Sequence, residues 1–390
     1  MKPFTFQAPA NILFEPGASR KLAEIVAGFR VKRLLLVTDK GVRNAGLTKG
    51  AEAALTEAGY NLSVFDEVEA DPPSHVIGRA IALCREQNIE LVFSIGGGSA
   101  LDTAKLVAYL ARTPDKLDDI YGVGLAKGER LPLLLVPTTA GTGSEVTPIA
   151  IVTTPTTEKK GVVSPRLLPD WAILDPELTL GLPAPVTAAT GIDAMVHAIE
   201  AYTSKHKKNP MSDQLARQAL SLLSTNIRTV CTAGSLVEAR SQMLLGSMLA
   251  GMAFANAPVA AVHALAYPIG AIFHVPHGLS NALVLTQVLR FNLPDAEPLY
   301  AELAPIVDPR AEGLSTSQKA RLFVDGMAAI CNDCKVPRSL ADVGIGKGDL
   351  KKLAEDAMKQ TRLLVNNPRE LKYDDALAIY TEAFGNRAAA

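Results

Sequence analysis

Two residues of one predicted helix have the types and the spacing of a metal-binding pair. Asp193 and His197, in the segment GIDAMVHAIEAY, are four positions apart. A helix therefore presents both side chains on one face, one turn apart. A carboxylate and an imidazole held in this way can bind the same divalent ion.

Two further candidate ligands lie in the later segment AVHALAYPIGAIFHVPHGLSN. His263 precedes Pro268, which we expect to kink or end its helix, and His277 follows Pro276, where a new helix can begin. The turn between the two helices should let both rings face one centre. His274 lies nearby as a fifth polar candidate.

These later histidines stand in an uncharged part of the chain. No Asp, Glu, Lys or Arg occurs between Arg240 and Arg290, yet three of the six histidines do. A buried polar group without a partner costs about 1–3 kcal/mol, so this clustering indicates that something satisfies the imidazoles. One carboxylate with three imidazoles suits Zn²⁺ or Fe²⁺ without choosing between them. The stretch is rich in Ala and Gly and is broken by prolines, so it predicts a buried helical core rather than a membrane span.

A second candidate site follows two predicted strands in the first half of the chain. The segment LVFSIGGGSALDTAK gives a buried strand, three glycines and a helix whose first turn carries Ser99 and Asp102. This pattern predicts a phosphate cradle at a helix N-terminus, although a plain tight turn is the alternative for this loop alone. The carboxyl ends of parallel strands meet at one edge, where a second polar loop, VPTTAGTGSEVT, should join the first. Its hydroxyl groups belong to Thr138, Thr139, Thr142, Ser144 and Thr147.

The strand RLLLVTD places a carboxylate, Asp39, at its end. There Asp39 can accept hydrogen bonds from an adenosine ribose and would repel a 2′-phosphate, which favours NAD over NADP. The alternative is that Asp39 caps the helix that follows.

The elements that must position these groups fall into two halves. Up to about residue 180, short β-branched runs alternate with helical runs, which predicts a parallel sheet with helices on both faces. After a junction rich in proline, long helical periods predict an all-α region. We therefore expect an α/β, Rossmann-like, NAD-binding domain at residues 1–182 and a helical, metal-binding domain at residues 183–390.

The composition of the chain narrows its class of partner. Its 390 residues are 48% hydrophobic and 20% charged, with a formal net charge of −1. No large field is present to attract nucleic acid or an acidic membrane, so a small molecule is the expected partner. Four cysteines cannot form a dense disulfide framework, which predicts a reducing cytoplasm. The CNDC segment of Cys331 and Cys334 has no second pair, so we interpret these two cysteines as helix residues.

Several long motifs together resemble the iron-containing (group III) alcohol dehydrogenases. These motifs are FEPG, GGGSALDTAK, PTTAGTGSEVT, ATGIDAMVHAIEAYTS and HALAYPIGAIFHVPHGLSNA, and they span nearly the whole chain. The resemblance implies a dehydroquinate synthase-like fold, in which a Rossmann-like domain and a helical domain enclose an active-site cleft. It also implies NAD and Fe²⁺ (or Zn²⁺) as cofactors, and a homodimer or larger homo-oligomer.

The resemblance further implies roles for individual residues. It assigns the metal to the four residues reached above from spacing, Asp193, His197, His263 and His277. It assigns the cofactor to Asp39, Gly97, Gly98, Ser99, Asp102, Thr138, Thr139, Thr142, Thr147 and Lys160, the last with an alignment that is loose by one residue. Many members have Asn at the position of Asp71 and histidine at the position of Tyr267. A proton-relay role therefore passes to the Tyr267 hydroxyl or to His274, beside the catalytic metal ligands His263 and His277.

The expected reaction is hydride transfer between an alcohol or aldehyde and nicotinamide, with the metal acting as a Lewis acid on the substrate oxygen. A glycerol dehydrogenase-like enzyme and a metal-free maleylacetate reductase-like enzyme are alternatives, but the second would not retain all four ligands. A dehydroquinate synthase-like lyase should bring several cations to its charged substrate, and residues 241–289 supply none. A nucleotide-binding scaffold would leave the buried carboxylate and histidines without purpose.

Overall fold

The computed structural model describes residues 3–155 and 158–385. These residues form two compact units, one spanning residues 7–181 and the other residues 182–385 together with residues 3–6. The predicted domains also include residues 1–2 and 386–390, which lie outside the described residues.

The first unit is built on a six-stranded sheet in which every pair of neighbouring strands is parallel, as the sequence predicted. The strand order is β1-β9-β6-β4-β2-β3, and a second sheet has the order β5-β8-β7. The strands are β1 Asn11–Phe14, β2 Arg33–Val37, β3 Asn61–Phe65, β4 Leu91–Gly96, β5 Gly122–Val123, β6 Leu133–Pro137, β7 Ile149–Thr153, β8 Lys159–Val163 and β9 Trp171–Leu174. The helices are α1 Leu22–Ala27, α2 Lys40–Asn44, α3 Lys49–Glu57, α4 Ser74–Glu86 and α5 Gly98–Leu110.

Both faces of the large sheet are buried, which explains why its central strands are continuous apolar runs. Successive residues of β2 point to opposite faces, so Leu35 and Val37 enter one hydrophobic cluster while Leu34 and Leu36 enter another. The first cluster includes residues of α4 and α5, and the second includes residues of α1 and α3. The sheet is therefore covered by helices on each side.

The order of the strands reverses beside β2. The chain passes from β2 to β3 on one side and then returns to β4 on the other side of β2. Thr38 Oγ1 donates to the Ile95 carbonyl, and Ser94 Oγ donates to the Val37 carbonyl, each at 2.7 Å. These bonds hold the carboxyl ends of β2 and β4 side by side, and open α/β sheets bind ligands at such a switch point.

The second unit is entirely helical in its regular elements among the described residues, as predicted. Its helices are α6 Ala184–Thr203, α7 Pro210–Thr232, α8 Val237–Asn256, α9 Ala261–Phe273, α10 His277–Val307, α11 Thr316–Asp333, α12 Leu350–Met358, α13 Thr361–Leu364 and α14 Tyr373–Phe384. Helix α6 packs against α7, α8 and α10, and its polar residues Asp193, His197 and Glu200 are buried.

The turn that separates the two later histidines differs from the prediction. Helix α9 continues through Pro268 and ends at Phe273, so the prediction that the helix could end at this proline is wrong. The reversal occurs at His274, whose backbone is left-handed with φ 55°, and Pro276 then caps the start of α10. A left-handed residue after the last turn ends a helix by satisfying its final carbonyl groups.

Among the described residues, none of the helices alone has both the length and the hydropathy of a membrane span. Helices α8 and α9 meet that test only as a pair, and the pair is bent by 106°.

Candidate metal centre and cofactor site

Four side chains from three helices of the second unit converge on one point. Asp193 and His197 come from α6, His263 comes from α9, and His277 is the first residue of α10. One ligand atom from each lies within 4.8 Å of the other three, and in the part of the chain that the structure describes this is the one such group of metal-ligand residues. The four residues selected by spacing are thus brought together.

The spacing of the ligand atoms suits a small divalent cation. Asp193 Oδ1 lies 3.9, 3.7 and 3.6 Å from Nε2 of His197, His263 and His277, respectively. Metal–ligand bonds of about 2.0–2.2 Å in a tetrahedral arrangement separate neighbouring ligand atoms by about 3.3–3.6 Å. Small movements of the side chains would therefore close the group around an ion such as Zn²⁺ or Fe²⁺.

The electrostatics of the group also favour a cation. Asp193 is 2% exposed, and this burial opposes its ionisation. The three histidines and a hydrogen bond from Asn281 outweigh that effect and hold the pKa of Asp193 below its ordinary value. The carboxylate is thus kept ionised in a buried position, where a cation interacts with it strongly.

Aromatic contacts fix the imidazole rings. The His197 ring stacks on Phe254 and on His263, with centroid distances of 4.2 and 4.7 Å. The His277 ring lies 5.3 Å from that of His263 and 5.9 Å from that of Tyr267. The predicted relay residue Tyr267 is therefore adjacent to a ligand, whereas His274 is an exposed residue at the turn and is not part of the ligand group.

Two residues that the sequence analysis did not select contact the ligands directly. Glu200 Oε2 lies 2.6 Å from Nδ1 of His263, and Asn281 Nδ2 donates to Asp193 Oδ1 at 2.5 Å. Helical spacing from a predicted ligand could have identified both residues in the sequence. Glu200 is seven positions after Asp193, and Asn281 is four positions after His277. Each therefore extends a helix face that already carries a ligand.

The predicted phosphate cradle lies at the switch point of the large sheet. Gly97 is the N-cap of α5 and provides no side chain, so the amide groups at the start of this helix face outward without a capping side chain. A Cβ atom built on Gly98 would lie 2.8 Å from Thr142 Cγ2, and one built on Gly97 would lie 3.8 Å from Thr139 Cγ2. The glycine loop (residues 96–98) and the threonine loop (residues 138–147) are thus in contact, as predicted.

Asp39 stands beside this cradle at the end of β2. Its Oδ1 accepts a hydrogen bond from Val42 N at 2.9 Å, so Asp39 does cap α2. Its Oδ2 would lie 3.9 Å from a Cβ atom built on Gly96, on the side of the glycine loop. Capping therefore leaves one oxygen directed toward the cradle.

Two of the predicted cofactor residues, Asp102 and Thr147, take part in a hydrogen-bond network around the buried Lys105. Lys105 is fully buried and donates to Ser144 Oγ at 2.8 Å, to Thr147 Oγ1 at 3.2 Å and to the Ile149 carbonyl at 2.6 Å. Asp102 accepts from Ser144 Oγ at 2.5 Å. Asp102 and Thr147 thus hold the threonine loop against α5, a role that the sequence did not reveal.

The two adjacent lysines of β8, Lys159 and Lys160, have different partners in the structure. Lys160 is exposed and pairs with Glu158 at 3.7 Å, whereas Lys159 forms a 2.7 Å ion pair with Asp71 Oδ1. The backbone amide of Asp71 donates to Ser99 Oγ at 3.2 Å, which connects this pair to the cradle. Of the two adjacent lysines, Lys159 is therefore the one linked to the predicted phosphate site.

Comparisons with known proteins agree with this arrangement. Residues 9–176 match the model described as iron-containing alcohol dehydrogenase, and residues 187–384 match the C-terminal model of the Fe-containing alcohol dehydrogenase family. The chain is 39% identical over 384 residues to long-chain-alcohol dehydrogenase 1 of Geobacillus thermodenitrificans, covering 96% of this chain and 97% of that protein.

Solved structures give the same result. A crystal structure of 1,3-propanediol oxidoreductase superposes with a TM-score of 0.95 at 36% identity, covering 98% of this chain and 100% of that one. The sulfoacetaldehyde reductase of Bifidobacterium kashiwanohense in complex with NAD⁺ has a TM-score of 0.88 at 28% identity, covering 99% of this chain and 100% of that one.

Proposed function

Because this chain belongs to the iron-containing alcohol dehydrogenase family, we propose that it is a metal-dependent, NAD-linked alcohol dehydrogenase that also works as an aldehyde reductase. The observation that carries the proposal is the convergence of one carboxylate and three imidazoles within 4.8 Å. We propose residues 1–182 as the NAD-binding domain and residues 183–390 as the metal-binding domain.

The proposed metal ligands are Asp193, His197, His263 and His277. A divalent ion, which we propose to be Fe²⁺ with Zn²⁺ as the alternative, supplies a Lewis acid that makes an alcohol more acidic or a carbonyl more electrophilic. Three of these ligands, Asp193, His197 and His263, are almost fully buried, so packing restricts the movement of their side chains. We assign the proton path to the Tyr267 hydroxyl, and the contact of its ring with that of His277 supports this role.

The proposed cofactor is NAD. Its pyrophosphate would bind the amide groups at Gly97, Gly98 and Ser99, where a helix N-terminus favours an anion. Asp39 would accept the ribose hydroxyl groups and oppose a 2′-phosphate. A relative of similar fold was crystallised with NAD⁺, which supports the choice.

The ligand proposal is tested by metal analysis together with kinetics. Wild-type protein should hold one ion per chain and should oxidise NADH with aldehydes, and chelation should abolish turnover until Fe²⁺ or Zn²⁺ is restored. His263→Ala and His277→Ala should lose both the ion and the turnover. The exposed His206 gives a matched control, His206→Ala, which should behave as wild type. Normal turnover in metal-free protein would contradict the proposal.

The substrate is proposed only as an uncharged alcohol or aldehyde. Relatives are named for long-chain alcohols and for 1,3-propanediol, so the screen should cover both short diols and long aliphatic aldehydes. A protein that holds stoichiometric metal yet neither oxidises these diols with NAD⁺ nor reduces these aldehydes with NADH would refute the proposed reaction.

We also propose that the chain forms a homodimer or a larger homo-oligomer in the cytoplasm. Strand β1 is an edge of the large sheet, and its Ile12 is 39% exposed, which leaves backbone groups and an apolar side chain available for a second copy. All four cysteines are free in the structure, which fits a reducing compartment. Light scattering coupled to size exclusion would measure the oligomeric state, and a monomeric Ile12→Asp variant would support β1 as the contact.

A further inference from the structure

Glu200 is a buried carboxylate that the proposed ligand set does not use. It lies on α6 and is 4% exposed. One of its oxygens, Oε1, accepts from the backbone amide of Val262 at 2.7 Å. The other, Oε2, lies 2.6 Å from Nδ1 of His263. Both carboxylate oxygens are therefore directed at the first turn of α9.

This contact determines which nitrogen of His263 can bind an ion. A neutral imidazole carries one proton, and the nitrogen without the proton is the one that can act as a ligand. Nδ1 faces a carboxylate, which accepts but cannot donate when ionised, so the proton belongs on Nδ1. Nε2, which lies 3.7 Å from Asp193 Oδ1, then presents its lone pair to the centre of the ligand group.

The same contact orients the ring. Glu200 is tied to the backbone of α9 through Val262, so its second oxygen holds a fixed position relative to the neighbouring histidine. A histidine ligand whose other nitrogen donates to a carboxylate is also a more basic ligand. Glu200 comes from the helix that supplies Asp193 and His197, so α6 would set the geometry of three of the four ligands.

We propose that Glu200 is a positioning residue of the metal centre, which holds His263 in the Nδ1-protonated form with Nε2 directed at the ion. The proposal rests on the proposed function, since it assumes that the four residues bind a metal. Glutamine cannot replace the carboxylate, because its side chain has one acceptor oxygen whereas Val262 N and His263 Nδ1 both need an acceptor. The NH₂ group of the glutamine would therefore face one of these two nitrogen atoms. Glu200→Gln therefore changes the hydrogen bonding while nearly preserving the shape.

The test uses Co²⁺ as the probe, because its visible absorption reports the geometry of its ligands. Co²⁺ affinity is measured by competition with a chelator for wild type, Glu200→Gln and a control, Glu302→Gln. The control carboxylate accepts a hydrogen bond from Tyr202, also on α6, but does not contact the ligand group. We expect Glu200→Gln to weaken Co²⁺ binding by about 10–100-fold and to change the absorption bands, and the control to match wild type.

The outcomes separate the two proposals. Wild-type affinity and an unchanged Co²⁺ spectrum in Glu200→Gln would overturn the role of Glu200 alone. Failure of the wild-type protein to bind Co²⁺ would instead refute the proposed metal centre.

A second measurement does not depend on the folding of the Glu200 variant. Long-range ¹H–¹⁵N spectra of wild-type protein with labelled histidine and bound Zn²⁺ should show the His263 ring protonated at Nδ1, with its signals assigned through magnetisation transfer to the stacked ring of His197. A His263 ring that is protonated at Nε2 would overturn the proposal.

Discussion

A single buried residue, Glu145, should make the stability of the first unit depend on pH. It lies in the threonine loop, directly after Gly143 and Ser144, and is 1% exposed. Among the described residues, its Oε1 has no hydrogen-bond partner. Burial raises the pKa of Glu145 from 4.5 to about 7, although a hydrogen bond from its own backbone amide and the nearby Lys105 oppose the rise.

The sign of the effect follows from proton uptake. Between pH 4.5 and 7 the folded chain keeps a proton on Glu145 that the unfolded chain releases, so the free energy of unfolding falls as pH rises. A shift from 4.5 to about 7 amounts to about 3 kcal/mol, since each pKa unit is worth about 1.4 kcal/mol. This stability is present below pH 4.5 and lost above pH 7. Glu145→Gln is neutral throughout, so it should gain about 3 kcal/mol relative to wild type between pH 4.5 and pH 8.

The assay is urea denaturation followed by tryptophan fluorescence at pH 5, 6, 7 and 8. The only tryptophan, Trp171, lies in β9 of the same unit. With a slope of about 2–3 kcal/mol/M, the midpoint of Glu145→Gln should move by about 1 M relative to wild type across this range. The exposed Glu86 gives a control, Glu86→Gln, whose difference from wild type should not depend on pH. A difference for Glu145→Gln that is equally independent of pH would refute the reasoning.

Three further predictions concern the two sites. Gly98→Ala would place Cβ 2.8 Å from Thr142 Cγ2, whereas Gly97→Ala meets nothing closer than 3.8 Å. NADH titrations should therefore show weakened binding for the Gly98 variant and clearly less weakening for the Gly97 variant. Gly278→Ala would place Cβ 2.4 Å from the backbone oxygen of Ala189, so calorimetry should show a loss of about 1–3 kcal/mol. Chelation of the metal should lower the thermal midpoint, because it removes the contribution of binding to the free energy of unfolding. That contribution is about 2.7 kcal/mol if the free ion stood at 100 times its dissociation constant. An unchanged midpoint would argue against a bound ion.

The long elements of this fold could be predicted from the sequence. Strands β2, β3, β4 and β6 are short apolar runs between helical segments, and β2, β4 and β6 are buried on both faces. Helices α6, α7 and α8 have long helical periods. Strands β1 and β9 and the small sheet could not be predicted in this way. Strand β1 is half exposed, and β5 has two residues, so neither has a periodicity that distinguishes it from a loop.

The candidate site shows the same limit at the level of side chains. Asp193 and His197 could be paired because one helix carries both, and their grouping with His263 and His277 needed only a turn between two helices. The place of that turn depended on backbone conformation at His274, which proline positions did not reveal. The partners of Asp102 could not be predicted, because Lys105 reaches them only when the threonine loop has folded back onto α5.

The pairing of β1 with β9 has a consequence for folding during synthesis on the ribosome. Asn11 pairs with Trp171, so β1 leaves the ribosome about 160 residues ahead of the strand with which it pairs. At about 5–20 residues per second, that delay is on the order of 10–30 s. During this delay, the segment NILF of β1 has no β9 to pair with, so chaperones or another nascent chain can bind it. Slow codons between the two strands would prolong this exposure, and a chain stalled before Trp171 could not complete its sheet.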